Sequence, residues 1–281
     1  MHTLQAIITG SIQGLSEFLP ISSSAHIVFS NELYNLITNS NVSLEQVNQE
    51  EIFFDIMVHL ATLFAVVIYF FKDLKNIFSS FFSALKNKDY SSENFKLVNY
   101  IALSVVITGI IGLSLKDTVE KLIQNPQIIC VLLLITGIIL LLSEKFYKGD
   151  KKVNLKSAIL ISIAQGLAVF PGFSRSGLTI STALFCKMER TDAARFSFLM
   201  SIPVILLASM VYPLMELDIS QIMTFNLKAI FFGFLASFIV GYLCIKYFMK
   251  LLGKISLRCF GYYCLTASIV MFTVFQFFYH Q

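Results

Sequence analysis

Charged side chains are scarce in this chain, and tryptophan is absent. Only 14% of the 281 residues are charged, against about a quarter in soluble globular proteins, and 56% are hydrophobic. Without tryptophan, tyrosine and phenylalanine must supply any aromatic belt at a membrane surface. The composition argues against a soluble protein and predicts one that crosses a membrane several times.

Cysteine and clustered positive charge are also limited. The five cysteines form no CxxC pair and are odd in number, which argues against a disulfide framework or a cysteine-ligated metal and indicates isolated, buried thiols. The N-terminal segment has no basic cluster and no small-residue cleavage motif, so we expect no cleaved signal peptide. The net charge of +4 comes from basic residues scattered between apolar segments, so no nucleic-acid partner is expected.

Six apolar segments approach the roughly 20 residues that cross a bilayer. They are 52–71, 97–115, 128–143, 196–213, 227–245 and 259–279. Lysine and arginine concentrate in 72–96, 144–156 and 246–258, whereas 19–51 and 215–226 contain neither. Because cytoplasmic loops carry the excess of positive charge, the three basic segments are predicted to face the cytoplasm and both termini to lie outside.

The tripeptide QGL occurs twice, each time ahead of a proline and a serine cluster. The first copy is QGLSEFLPISSSAH at 13–26, and the second is QGLAVFPGFSRSGLT at 165–179. The apolar runs that flank each proline are too short for a full crossing. Residues 2–37 and 157–190 are therefore each predicted to form a hairpin of two short helices that turns at membrane depth.

These segments define a fold class. We predict an all-α polytopic membrane protein, a single membrane domain over 1–281, built as an inverted repeat with six transmembrane helices and two re-entrant helical hairpins. Repeat unit one covers 1–143 and repeat unit two covers 153–279. Each unit holds a hairpin and three spans, and because three is odd, the units insert in opposite orientations. Broken helices at such a repeat interface commonly form binding sites.

The first loop carries groups suited to chemistry. Glu17 lies one helical turn after Gln13 on an otherwise apolar helix, where an ionisable group is a functional hypothesis by default. Its carboxylate can bind Mg²⁺ or Ca²⁺, or act as a base. Ser23 is the candidate reactive hydroxyl, three residues before His26, which suits general acid–base work. A purely structural hydrogen bond is the other interpretation of His26.

The second loop carries groups suited to holding phosphate. Pro20 and Pro171 each end a helix, because proline lacks the backbone N–H and clashes with the preceding turn. Two helix N-termini that point toward one cavity favour a polyanion, and the planar fork of Arg175 suits bidentate phosphate contacts. The serines that follow the prolines can cap the next helices or bind phosphate, and both roles stay open: Ser22, Ser23, Ser24, Ser174 and Ser176.

The order and spacing of these residues resemble a known family. The pattern QxxxEFLPxSSxxH at 13–26 resembles the first signature of the undecaprenyl-diphosphate phosphatase family of the bacitracin-resistance type, and PGxSRSxxT at 171–179 resembles its second. The resemblance covers nearly the whole chain. It implies a divalent-cation-dependent phosphatase of the bacterial cytoplasmic membrane that converts undecaprenyl diphosphate into the monophosphate carrier for cell-wall glycans. The first position of the family signature is Glu or Gln, and Gln13 cannot act as a base.

With that resemblance, Glu17, Ser23, His26 and Arg175 are predicted to be catalytic, and Glu17 also to hold Mg²⁺ or Ca²⁺. The substrate-binding residues are predicted to be Gln13, Ser22, Ser24, Ser174, Ser176 and Thr179. The nucleophile stays open between Ser23 and a water. Because the first hairpin enters from outside, the site is predicted to open to the outer face.

The expected partners are a long-chain prenyl diphosphate and membrane lipids, and the oligomeric state stays open, a homo-oligomer included. For His59, in the first span, a structural or cavity-lining role is expected, and Asp55, in the same span, is expected to line the cavity or to reach the outer interface. A lipid transporter is the alternative from another class, since inverted repeats and broken helices are typical of transporters. No histidine follows shortly after the second loop, which argues against the phosphohistidine type of lipid phosphatase.

Overall fold

A computed structural model of the chain describes residues 1–38, 49–88, 90–123, 125–147, 149–217, 222 and 224–279. Within those residues the chain forms eleven α-helices and no strand. The helices are α1 (Thr3–Phe18), α2 (Ser23–Thr38), α3 (Gln49–Tyr69), α4 (Phe71–Asn87), α5 (Glu93–Ile123), α6 (Pro126–Lys145), α7 (Leu155–Leu167), α8 (Arg175–Phe185), α9 (Arg190–Glu216), α10 (Leu227–Leu252) and α11 (Arg258–Tyr279). Of the predicted outer segments, 39–48, 218–221 and 223 lie outside the described residues.

Six of these helices are long and apolar enough to cross a membrane, namely α3, α5, α6, α9, α10 and α11. They overlap the six predicted segments, so the prediction of an all-α polytopic membrane protein is confirmed. The predicted segment 128–143 is shorter than the roughly 20 residues of a span, but the helix that contains it, α6, begins earlier, at Pro126. There the side chain of Asn125 accepts a hydrogen bond from the backbone N–H of Gln127 and caps a helix of 20 residues.

The basic segment 72–96, predicted as a loop, contains the helix α4. The sequence over this helix has no glycine or proline, and its buried residues Ile77 and Ala84 lie two turns apart on one face. Lys72, Lys75 and Lys86 are exposed. A basic helix with one buried edge suits a position at the membrane surface, packed here against α5.

The two predicted hairpins are pairs of short helices. The helices α1 and α2 have 16 residues each, α7 has 13 and α8 has 11. Each break falls around the predicted proline, because α1 ends at Phe18 before Pro20 and α7 ends at Leu167 before Pro171. Their re-entrant course in the membrane stays a prediction.

The helices of the two predicted repeat units pack reciprocally. Helix α1 of the first unit packs along α10 of the second, α7 of the second unit packs along α5 of the first, and α6 of the first unit pairs with α11 of the second. Glycine allows the closest approach: a Cβ at Gly10 would lie 2.2 Å from the carbonyl oxygen of Gly233. This is the packing expected of two related halves, and their inverted insertion stays a prediction.

A buried ion pair ties three segments of the chain together. Glu144, at the end of α6, accepts hydrogen bonds from Arg190 Nε (2.9 Å) and Nη2 (2.6 Å) at the start of α9. It also accepts from Ser256 Oγ (2.9 Å) and from the backbone N–H of Leu257 (3.0 Å), between α10 and α11. The Glu144 side chain is 2% exposed, so these four donors replace the water that the carboxylate has lost.

All five cysteines are free, but the prediction that all are buried is wrong, because Cys259 is exposed and Cys186 is only partly buried. Cys130, Cys244 and Cys264 are buried between helices. Cys186 lies just after α8, outside the spans, and burial raises the pKa of its thiol. A raised pKa lowers the fraction of thiolate, so this cysteine is a poor nucleophile at neutral pH.

Candidate active site

The two repeated loops lie against each other. The backbone N–H of Gly172 in the second loop donates to Ser24 Oγ of the first at 3.3 Å, and Ser176 Oγ donates to the carbonyl oxygen of Leu19 at 2.9 Å. These hydrogen bonds join segments about 150 residues apart in sequence. The two loops are therefore in contact, and their joint role as one site stays a prediction.

Both loops contain backbone in the left-handed region. Ser22 has φ 70° and Gly172 has φ 101°. A serine in this region is uncommon and is held there by its surroundings: Ser22 Oγ accepts from the N–H of Ala25 (3.3 Å), and the Ser22 carbonyl oxygen accepts from His26 Nδ1 (2.8 Å). A Cβ at Gly172 would lie 2.4 Å from the carbonyl oxygen of Ile129, so this position also requires glycine for space.

An ion pair between Glu17 and Arg175 lies at the centre of the site. Arg175 Nη2 donates to Glu17 Oε1 at 2.5 Å, and the two side chains are 17% and 7% exposed respectively. Glu17 ends α1 and Arg175 begins α8, so the pair joins the two loops. An ion pair this far from water exerts a stronger field on a bound ligand than one at the surface.

The other carboxylate oxygen of Glu17 accepts two further hydrogen bonds. Gln13 Nε2 donates at 2.9 Å from one turn earlier on α1, and Ser23 Oγ donates at 3.0 Å from the start of α2. Ser23 is thus a hydroxyl whose proton already points at a carboxylate. That arrangement is typical of an activated nucleophile and its base.

His26 lies on α2, about one turn after Ser22 and Ser23. Its described side-chain hydrogen bonds are to the Ser22 carbonyl and to Tyr263, not to the hydroxyl of Ser23. Its Nδ1 carries the proton that is donated to the Ser22 carbonyl, so Nε2 of the neutral ring is an acceptor. Tyr263 of α11 donates its hydroxyl to that Nε2 at 2.7 Å and stacks on the ring at 5.6 Å between centroids. The imidazole is therefore held in one orientation, and the hydroxyl of Tyr263 occupies its acceptor nitrogen.

The hydroxyls of the second loop are buried within the protein. Ser174 caps α8 by accepting from the N–H of Gly177 (3.0 Å), and its own N–H donates to Thr136 Oγ1 (3.3 Å). Thr179 is 0% exposed and bonds to Ser197 Oγ at 2.5 Å and to the Arg175 carbonyl at 2.8 Å. The predicted phosphate contacts of Ser174, Ser176 and Thr179 stay predictions, and in this arrangement all three hold the loop in place.

Three polar atoms at the site are buried and have no hydrogen-bond partner among the described residues. They are Gln13 Oε1, Gln165 Oε1 and Arg175 Nη1. Buried polar groups are nearly always paired, so unpaired ones call for an explanation such as an absent ligand. The cationic donor, Arg175 Nη1, would pair with an anionic group of such a ligand. The two glutamine oxygens would accept from a hydroxyl or bind a metal ion.

Sequence reasoning missed several members of the site. Tyr263 gave no signal beyond a pair of tyrosines in an apolar span. Gln165 is the first residue of the second QGL copy, and its Nε2 donates to Thr108 Oγ1 at 3.2 Å. His59, for which the sequence predicts a structural or cavity-lining role, lies close enough to Glu17 and Arg175 to interact with both electrostatically. It lines a cleft together with Asp55, as expected.

Comparison with known proteins agrees with the residue pattern. Residues 6–270 match the model of the family described as bacitracin resistance protein BacA. The chain is 36% identical over 284 residues to the undecaprenyl-diphosphatase of Methanobrevibacter smithii, covering 97% of each chain. It is 37% identical over 283 residues to undecaprenyl-diphosphatase 2 of Halalkalibacterium halodurans, covering 98% of this chain and 97% of that one. Because the match spans both loops and all six spans, the chain belongs to the bacitracin resistance protein BacA family.

Proposed function

We propose that this chain is an integral membrane phosphatase that hydrolyses undecaprenyl diphosphate to undecaprenyl phosphate and phosphate. The reaction recycles the lipid carrier of cell-wall synthesis, and through it confers bacitracin resistance. The observation that carries the proposal is the buried Glu17–Arg175 pair between two hydrogen-bonded loops, with Arg175 Nη1 unpaired and Ser23 bonded to the same carboxylate. The curated relatives that share these loops carry the name of this activity.

Arg175 holds the diphosphate in this mechanism. Its free Nη1 is a cationic donor directed away from Glu17, and a diphosphate oxygen supplies the missing partner. The guanidinium then stabilises the charge that spreads over the phosphoryl oxygens in the transition state. The N-terminus of α8, which starts at Arg175, adds a favourable dipole for the same anion.

Ser23 is the nucleophile in this mechanism and Glu17 its base. The oxygen of Ser23 bonds to the terminal phosphorus while the bond to the bridging oxygen breaks, so that undecaprenyl phosphate leaves and the hydroxyl proton passes to Glu17. Water then attacks the phosphoserine, phosphate leaves, and the proton on Glu17 returns to Ser23. The proton of that water passes to His26 through Tyr263, whose hydroxyl gives its own proton to His26 Nε2 and takes the proton of the water. The imidazolium then releases a proton to solvent.

A divalent cation fits the donors that are present. Among the described residues no three His, Cys, Asp or Glu side chains lie together, so the protein alone does not form a closed metal cage. Mg²⁺ is commonly held by one or two carboxylates together with the phosphates of its substrate. Glu17, the unpaired Gln13 Oε1 and Ser23 Oγ are the oxygens that would hold Mg²⁺ or Ca²⁺ here. When bound, the ion neutralises diphosphate charge.

We also propose that the site lies in the bacterial cytoplasmic membrane and opens to its outer face. A cleft of about 500 Å³ is lined by Asp55 and His59, near the start of α3, and by Lys116 and Glu120, near the end of α5. The lysine distribution puts those helix ends outside. Labelling of cysteines introduced at Asn87 and at Ser40, which lies outside the described residues, tests this sidedness in a background without the native cysteines.

The decisive experiment measures phosphate release by the purified protein from undecaprenyl diphosphate. Activity that disappears with a chelator and returns with Mg²⁺ or Ca²⁺ supports both the reaction and the cation. Arg175→Ala should abolish release, whereas Arg195→Ala, which removes an arginine paired with Asp73 outside the site, should not. Movement of a prenyl phosphate across liposomes without any phosphate release would instead favour a transporter.

A further inference from the structure

An apolar groove of about 340 Å³ lies where α1 stops and α10 continues. The two helices run side by side in the same direction. Gly10 of α1 lies against Gly233 of α10. Further along both helices, Cys244 Sγ donates to the carbonyl oxygen of Leu15 at 3.1 Å. Helix α1 ends within a turn of this contact, whereas α10 continues to Leu252, about 12 Å beyond Cys244. The end of the broken helix therefore leaves part of α10 uncovered by α1.

The wall of this groove is aliphatic and aromatic. It is lined from the end of α1 by Leu19, from the start of α11 by Phe260, and along α10 by Leu243, Tyr247 and Leu251. The three α10 side chains are 44–55% exposed. In the described part of the chain, none of the predicted catalytic or substrate-binding residues lines the groove. Its volume lies in the range of ligand pockets, and in a membrane its occupant is hydrocarbon.

Three lysines border the end of the groove where α10 stops. Lys246 and Lys250 follow Leu243 by one and two helical turns, so they flank the edge of the helix on which this leucine lies. Lys254 lies in the turn after α10, next to Ile255, which also lines the groove. All three lysines are exposed, and none forms an ion pair with another described residue. Because lysine stems cover apolar surface while the ammonium groups stay in water, these side chains put positive charge at the rim of the groove.

We propose that this groove binds an acyl chain of an anionic phospholipid, whose phosphate pairs with Lys250 and Lys254. An apolar wall that ends in unpaired cations complements a molecule with a hydrocarbon chain and an anionic head group. Basic pockets between membrane helices bind anionic lipid head groups in this way. The bound acyl chain packs on Leu15 and Leu19, which lie on either side of Glu17 in sequence. The phospholipid is therefore not a substrate, and it supports the end of the broken helix that carries Glu17.

The test uses a tryptophan introduced into a chain that has none. Tyr247→Trp puts this reporter in the groove, and the purified variant is reconstituted into vesicles of zwitterionic phosphatidylcholine. Phosphatidylglycerol or phosphatidylcholine with brominated acyl chains is then added in increasing proportion, because bromine quenches the fluorescence of a neighbouring tryptophan. Phosphatidylglycerol should bind at least about fivefold more tightly than phosphatidylcholine, which is the effect of about one lysine near a lipid phosphate.

Two double variants show whether the lysines of the groove cause this preference. Lys250→Gln/Lys254→Gln, added to the reporter variant, should abolish the preference for phosphatidylglycerol. Lys151→Gln/Lys156→Gln removes the same amount of charge at exposed positions that do not line the groove, and it should leave the preference unchanged.

The matched reporter is Tyr262→Trp, at an exposed tyrosine near the start of α11 that does not line the groove. Its quenching should not change when Lys250 and Lys254 are replaced. Equal binding of the two lipids at Tyr247→Trp, or a preference that survives the loss of both lysines, would overturn the proposal. Quenching of Tyr247→Trp by neither lipid would also overturn it, since protein would then cover the groove. None of these measurements depends on phosphate release.

Discussion

Replacement of Arg175 by methionine tests the central ion pair. Methionine keeps most of the length of the side chain and removes the charge, so that Glu17, which is 7% exposed, loses its cationic partner. Its carboxylate retains only the hydrogen bonds from Gln13 and Ser23. Breaking a buried ion pair from one side costs about 3–5 kcal/mol, and the two remaining donors place Arg175→Met at about 3 kcal/mol. For a chain of this size that is about 6 °C in Tm.

The same change removes the group that stabilises charge on the transferred phosphoryl. Loss of such a donor typically costs about 10²–10³ in kcat, and loss of an arginine on a phosphoryl group costs more. We therefore expect phosphate release by Arg175→Met to fall by about 10³-fold. Lysine in place of Arg175 should restore part of the stability but little of the rate, because a point charge cannot bond Glu17 and a phosphate oxygen in the fixed geometry of the guanidinium fork.

The double variant Glu17→Gln/Arg175→Met separates the structural effect from the catalytic one. It leaves no unpaired buried charge, so its Tm should recover most of the 6 °C, while its activity should stay lost. Because tryptophan is absent, unfolding is best followed by a thiol-reactive fluorophore that reports exposure of Cys130 and Cys264, which are 1% and 0% exposed in the fold.

The control for this series is Arg195→Met. The partner of Arg195, Asp73, is 39% exposed, so the loss of this pair should change neither the Tm nor phosphate release measurably. An Arg175→Met variant with the same Tm as the wild type would refute this prediction. A double variant no more stable than the single one would refute it equally.

Three further predictions concern the nucleophile, the histidine and the Glu144–Arg190 ion pair. Ser23→Ala should lower phosphate release by at least about 10³-fold and abolish any phosphoenzyme trapped by acid quench, since it removes the attacking oxygen. Tyr263→Phe removes the hydroxyl donor to His26 but keeps the ring stack, so kcat should fall by about tenfold with an unchanged Tm. Glu144→Gln should destabilise the fold by about 3 kcal/mol in thermal unfolding, with kcat per folded molecule retained, because Arg190 loses its buried partner.

Each of these changes has a matched control in the chain. Ser114→Ala removes an exposed hydroxyl on α5 and should leave activity intact. Tyr262→Phe changes the neighbouring, exposed tyrosine of α11. Glu93→Gln breaks an exposed pair with Lys152 and should not shift the Tm. Retention of full activity by Ser23→Ala would assign the attack to water, with Ser23 as a hydrogen-bonding group.

Sequence reasoning located the spans because lipid imposes a length and a composition on any helix that crosses it. It failed at α4, since lysine content alone does not distinguish a loop from a helix lying at the membrane surface. The assignment of Thr179 to phosphate binding stays a prediction, and the fold adds that its hydroxyl is buried against Ser197. A motif records which residues occur together, but the direction of each side chain depends on the helix that carries it.

The sequence by itself determined the membrane class, the six spans, the two broken helices and the family. Only the tertiary structure decided that Glu17 pairs with Arg175 across 158 residues and that Tyr263 orients His26 across 237 residues. Periodicity and hydropathy are properties of neighbouring residues, whereas these contacts depend on how α1, α8 and α11 pack.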